Sequence, residues 1–168
     1  VRARAADTHE GEITLNAELI AVGTEILLGD IVNTDAQLIS QGLSELGINV
    51  FYQTVVGDNP ARLRHVIETA RDRADIIITT GGLGPTKDDI TKHTLARMFG
   101  MALVRDEAVY EQVRRMTELR HIDFNELNQA QALVPEGCVV LPNRCGTAPG
   151  MWFECDGRVL VSLPGVPF

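Results

Sequence analysis

The residues best suited to chemistry in this 168-residue chain lie in one run, Thr80-Gly81-Gly82-Leu83-Gly84-Pro85-Thr86-Lys87-Asp88-Asp89. Three glycines let backbone N–H groups face a ligand. A helix expected over residues 88–99 would turn its positive end to the same point, and phosphate oxygens are favoured by both features. Thr80 and Thr86 add hydroxyls and Lys87 a cation. The run is neither a GK[ST] loop nor a GxGxxG turn. A plain strand-to-helix turn capped by Asp88 would have the same composition, but one carboxylate suffices for a cap. Two acids beside a phosphate repel it unless a divalent cation lies between. A magnesium-type ion, held by Asp88 and Asp89 with substrate oxygens, resolves that conflict. Such an ion would polarise a phosphoryl group and help generate a nucleophilic water. His93 stands four residues beyond Asp89 on the same helix face, as a catalytic candidate or as an ordinary, partly buried helix histidine.

Three further loops are expected at the same end of the molecule. Residues 23–35 form a long strand-to-helix connection containing Gly23, Thr24, Glu25, Asp30 and Asn33, and loops of that length are often functional. Asp30 joins the metal-facing candidates, although Glu25 and Asp30 also read as solvated acids and Thr34 or Asp35 as a simple cap. Asp58 follows the second strand and faces either the pocket or the next helix as its cap. Residues 143–150 include Asn143, Gly146, Pro149 and Gly150, which suit a pocket wall as well as they suit turns. Cys145 has no basic partner in sequence and reads as a packed or idle thiol rather than a nucleophile.

Strand-turn-helix units place these loops. Residues 17–22 form an apolar strand ending in Gly23-Thr24, followed by a helix over 34–46 that Gly47 stops. A β-rich stretch over 48–56 breaks at Gly57-Asp58-Asn59-Pro60, and a helix over 61–73 follows, with Pro60 near its start and Asp58 or Asn59 as cap. Residues 75–80 form a β-branched strand that opens into the glycine run. Helices are expected over 106–119 and, in short form, over 125–132. The last third supplies strands over 138–141, 151–155 and 158–163, with Asp156-Gly157 as a two-residue hairpin turn. Strands that are apolar on both sides and alternate with helices predict an α/β fold. It should have three layers, α/β/α, with a mostly parallel sheet and an antiparallel edge. Ligands collect beyond the carboxyl ends of such strands.

The composition excludes several classes. A net charge of −8 and 23% charged residues leave no basic stripe for a nucleic-acid backbone or an anionic membrane. Three cysteines without CxxC spacing suggest neither a zinc ribbon nor a disulfide framework. His9, His65, His93 and His121 are too scattered for a zinc site. No apolar run approaches the roughly 18 residues of a membrane span. A cytoplasmic domain over 17–168, preceded by an extension over 1–16 and cut before further sequence, is the expected organisation.

The motifs Val22-Gly23-Thr24-Glu25-Ile26-Leu27-Leu28-Gly29 with Ile31-Val32-Asn33-Thr34, the glycine run, Leu141 to Gly150 and Leu163-Pro164-Gly165-Val166-Pro167 occur in that order. Together they resemble the N-terminal domain of the competence/damage-inducible CinA family, within the molybdopterin-binding superfamily, from about Ala17 to the end. The resemblance implies the three-layer fold, self-association, and metal-dependent hydrolysis of the ADP-ribose pyrophosphate to AMP and ribose 5-phosphate. Carried over by motif, the catalytic acids are Asp58 and Asp89. Gly81, Gly82 and Gly84 cradle the ligand, and Pro164 and Gly165 border it. Asp35 departs from the Asn usual in the family, and nothing corresponds to the nicotinamide mononucleotide-deamidating domain of longer members. Two alternatives stay open. One is a molybdopterin-binding or adenylyl-transferring domain of molybdenum cofactor synthesis; the other is a noncatalytic binding or oligomerisation module.

Overall fold

A computed structural model describes residues 14–86 and 88–165. The expected extension up to residue 13, His9, Lys87, Val166 and Pro167 lie outside the described residues.

The centre is a six-stranded sheet in the order β2-β1-β3-β8-β7-β6. β1 (Asn16–Val22), β2 (Asn49–Val56), β3 (Ile76–Thr80) and β8 (Arg158–Leu163) run parallel. β7 (Gly150–Cys155) and β6 (Val139–Leu141) complete an antiparallel edge, as predicted. Asp156 and Gly157 adopt φ of 53° and 73°, the left-handed pair that a tight hairpin between β7 and β8 requires.

Side-chain alternation sends successive residues of β1 to opposite faces. Ile20 and Val22 join Leu63, Ile67 and Ala70 of α3 (Pro60–Arg71), and Leu95 of α4 (Thr91–Met98), in the larger core. Leu19 and Ala17 join Ala36 and Leu43 of α2 (Thr34–Glu45) in a second core. Helices therefore cover both faces, which is why β1 buries apolar side chains on each of them. α5 (Glu107–Leu119) packs Val109 and Val113 against Ala132 in a third cluster.

Four local features differ from the sequence reading. The first loop folds a short helix, α1 (Thr24–Leu28). α4 begins at Thr91, and the residue before it is Ile90, with no side-chain cap; Asp88 is therefore not the cap. The stretch over 125–132 divides into α6 (Glu126–Gln129) and a single 3-10 turn, Ala130–Ala132. β4 (Leu103–Arg105) and β5 (Leu133–Pro135) form a separate antiparallel pair. No helix among the described residues is long and apolar enough to cross a membrane.

Candidate functional site

The loops after β1, β2, β3 and β8 converge with residues 143–148 around one half-open cleft of about 1280 Å³. Its floor is the glycine run. Gly81 and Gly82 take φ of 93° and 66°, and a Cβ on Gly81 would lie 2.2 Å from the Val22 carbonyl oxygen. Only glycine fits a backbone this close to its neighbour. The turn is pinned from three sides. Gly81 N–H donates to the Leu163 carbonyl at 3.0 Å, Thr91 N–H to the Gly82 carbonyl at 3.0 Å, and the Thr91 hydroxyl to the Gly81 carbonyl at 2.9 Å.

Asp89 turns back onto this run. Its Oδ1 accepts from Gly84 N–H at 2.7 Å, and its Oδ2 from the Thr86 N–H and hydroxyl at 2.8 and 2.6 Å. Two of the three glycine N–H groups expected to face a ligand, those of Gly81 and Gly84, are thus engaged within the protein, and so is the Thr86 hydroxyl. The N–H groups of Gly82 and Leu83 have no protein acceptor among the described residues. Both residues line the cleft, so their amides are available to an anion there.

Asp58 acts in the same manner on the opposite wall. Its Oδ2 accepts from Thr24 N–H at 2.9 Å and from the Thr24 hydroxyl at 2.8 Å, tying the start of α1 to the loop after β2. Asn59, not Asp58, caps α3 by accepting from Arg62 N–H at 3.0 Å. Asn33 caps α2 through Ala36 N–H at 3.1 Å, the role expected of Thr34 or Asp35.

The third wall is organised by Asn143. Its Oδ1 accepts from Cys145 and Gly146 N–H, and its amide donates to the Ala148 carbonyl at 2.9 Å. Gln112 of α5 donates to the Asn143 carbonyl, and Arg120 to the Cys145 carbonyl at 2.9 Å. Arg120 and Gln131 line the cleft; no motif in the sequence marked either. Nor did any mark Lys92, whose buried ammonium donates to the Ala130 carbonyl at 2.9 Å. Burial pushes Lys92 down to about 8, against the opposing pull of Asp89. His93 does not reach the cleft wall; burial, then Lys92 and Arg97, hold it below the usual histidine range.

Most of the predicted site is brought together. Glu25, Asn33, Asp58 and Asp88 line the cleft, as do Thr80, Gly81, Gly82, Gly84, Pro85 and Asp89, and Asn143, Gly146, Pro164 and Gly165. Gly23, Thr24, Asp30, Thr86, Pro149 and Gly150 are not on its wall. Asp30 is an exposed residue just past α1. Gly150 serves packing, since a Cβ there would press on Leu141 and the Ser162 carbonyl at 3.2 Å.

A model of the family described as "Probable molybdopterin binding domain" matches residues 18–168. Relatives provisionally named competence-damage inducible protein include that of Caldicellulosiruptor bescii, 51% identical over 152 residues, and that of Geobacillus kaustophilus, 52% over 153. The matches cover 90% and 91% of this chain but 37% of each relative, so the chain spans little more than a third of their length. Among solved structures, the protein CinA of unknown function from Thermoplasma acidophilum aligns with a TM-score of 0.81 at 34% identity, covering 92% of this chain and 90% of that one. The tungsten cofactor synthesizing protein MoaB from Pyrococcus furiosus has the same fold at a TM-score of 0.56 and 23% identity, over 93% and 85% of the two chains.

These findings overturn the expected metal-dependent ADP-ribose pyrophosphohydrolase. The matching family is one of molybdopterin binding, and the relatives' names specify no hydrolase. The geometry supplies a physical reason. Of the acids expected to be catalytic, Asp89 uses both oxygens and Asp58 one oxygen to brace loops. The alternative reading, a molybdopterin-binding domain, fits the matches better. By sequence, fold and loop order, the chain belongs to the molybdopterin-binding domain family, in its competence-damage inducible (CinA) branch.

Proposed function

We propose that the cleft binds molybdopterin, a pterin carrying a phosphate. The Gly82 and Leu83 amides would receive the phosphate, with the rest of the molecule lying along the walls formed by residues 143–148 and by Asn33 and Asp35. The observation that carries this reading is the pinned Gly81-Gly82 turn, which leaves two amides without protein acceptors on residues that line a ligand-sized cleft. Such successive N–H groups form an anion-binding concavity. They suit a chain with a net charge of −8, because attraction from local dipoles does not require a basic surface.

A divalent ion belongs to the same proposal in a limited form. The described acids form no protein cage, but magnesium is commonly held by one or two carboxylates together with ligand phosphates. Asp88, an exposed acid on the cleft wall, would be the residue to share it. Self-association, implied by the resemblance, is proposed through the edge strand β2, where Phe51 is exposed. Light scattering of the protein and of a Phe51→Lys variant would test it.

Titration calorimetry with molybdopterin, with and without magnesium, tests the main reading. A saturable one-site isotherm that inorganic pyrophosphate competes away is expected. Absence of binding heat under both conditions would remove the assignment.

A further inference from the structure

Gln131 has a side-chain oxygen that the fold leaves without a partner. The residue is 2% exposed, and its Oε1 is the one buried side-chain polar atom among the described residues with no hydrogen-bond partner. It also lines the cleft that contains Gly82 and Leu83. Its backbone is fixed on both sides. The preceding carbonyl, Ala130, accepts from the Lys92 ammonium at 2.9 Å, and the following one, Ala132, accepts from Asp106 N–H at 2.9 Å. Mobility therefore does not explain the orphaned atom. Buried polar atoms are nearly always paired, so an exception calls for an explanation, and a ligand in the cleft that Gln131 lines supplies one.

The chemistry of the group narrows what would pair with it. A carboxamide carries an acceptor and two donors on one plane, and its terminal torsion is broad and roughly two-fold. It can therefore present either end to a ligand at little conformational cost. Its natural complement is a ring edge with a donor beside an acceptor. The amino-oxo pyrimidine edge of a pterin is such an edge, and a phosphate is not.

We propose that Gln131 is a specificity-determining residue that reads the donor–acceptor edge of the ligand's heterocycle, while the Gly82 and Leu83 amides hold its phosphate. This assignment rests on the proposed pterin ligand. Glutamine at this position serves binding rather than the fold, and that separates its two consequences. Replacing a buried, unpaired amide by an apolar side chain of similar size is neutral or stabilising for a fold. The same replacement removes the ligand's partner.

The test compares wild type with Gln131→Leu and Gln131→Glu, using thermal unfolding and titration with molybdopterin and, separately, inorganic pyrophosphate. Gln131→Leu should unfold at or above the wild-type temperature and bind pyrophosphate as wild type does. It should bind molybdopterin about tenfold more weakly, the effect of losing one or two hydrogen bonds. Gln131→Glu, which keeps an acceptor but loses the amide donors, should also bind molybdopterin more weakly. Equal molybdopterin affinity in wild type and Gln131→Leu overturns the role of Gln131 and leaves the pterin reading standing. A lowered unfolding temperature with equal losses for both ligands overturns it too, by showing a structural role. Failure of the wild type to bind molybdopterin overturns both.

Discussion

Asp58, on the wall of the cleft, and Thr24, beside it, hold each other. Thr24 donates both its N–H and its hydroxyl to one oxygen of Asp58, Oδ2, and the Thr24 hydroxyl accepts from Asp58 N–H at 3.2 Å. Because one oxygen receives both donors, an asparagine can reproduce the arrangement. Asp58→Asn should therefore keep stability and ligand affinity close to wild type. Asp58→Ala should lose about 1–3 kcal/mol, the cost of charge-assisted hydrogen bonds to a partly exposed loop. Chemical denaturation of both variants checks this. If asparagine proves as damaging as alanine, the carboxylate charge has a role beyond positioning Thr24.

Asp89 obeys the opposite rule. Its two oxygens each accept from the glycine run, Oδ1 from Gly84 and Oδ2 from Thr86, so an amide nitrogen at either place would confront a backbone donor. Asp89→Asn should loosen the loop nearly as much as Asp89→Ala, and both should weaken molybdopterin binding by about tenfold through the misplaced Gly82 and Leu83 amides. Hydrogen exchange of the Gly84 and Thr86 amides without ligand is the direct measurement. Unchanged protection in Asp89→Asn would show that the brace does not control the loop.

The two aspartates also mark what the sequence could convey. The position of both acids at the cleft followed from strand-helix alternation, because each ends a strand unit whose apolar run was plain. Their orientation did not, since a carboxylate aimed at a metal and one aimed at a neighbouring N–H have the same sequence. The β-branched run at Ile76–Thr80 and the Asp156-Gly157 turn were legible for local reasons. The β4–β5 pair was not, because three-residue strands nearly thirty positions apart carry no periodic signal of their own. Gln131 was invisible for a related reason. A glutamine in a short polar helix is ordinary, and that this one is buried is visible only in the tertiary structure. The ligand beyond the phosphate was equally hidden, because a glycine turn addresses the phosphate alone.

Glu18 gives a prediction independent of the cleft. It is fully buried in β1, yet Arg73 reaches it with two bonds of 2.8 and 2.7 Å, and Thr54 donates to it at 3.1 Å. Arg73 itself lies over the Tyr52 ring at 3.7 Å. Removing Arg73 alone strands a buried carboxylate, so Arg73→Leu should cost about 2–4 kcal/mol, reduced from the fully buried case because Arg73 is partly exposed. Adding Glu18→Leu should recover most of that loss, since an apolar pair of similar volume replaces the ion pair. A double mutant no more stable than Arg73→Leu would contradict this.

Lys92 makes stability depend on pH in a defined window. Its folded value of about 8 lies below the 10.5 of an exposed lysine, chiefly through burial. Between those values the unfolded chain holds a proton that the folded chain has released, and stability rises with pH wherever the unfolded state binds more protons. The penalty is thus fully present below pH 8 and fades as pH climbs towards 10.5. The gap corresponds to about 3 kcal/mol. Cys138 works against this trend, because burial raises its thiol above the usual range, and its contribution falls as the unfolded thiol ionises. Comparison with Lys92→Met cancels the cysteine, which both proteins contain. Urea unfolding at several values from pH 7 to 10 should show wild type gaining on the variant as pH rises. Parallel curves would mean that the Lys92 ammonium, bonded to Ala130 beside Gln131, stays charged without strain.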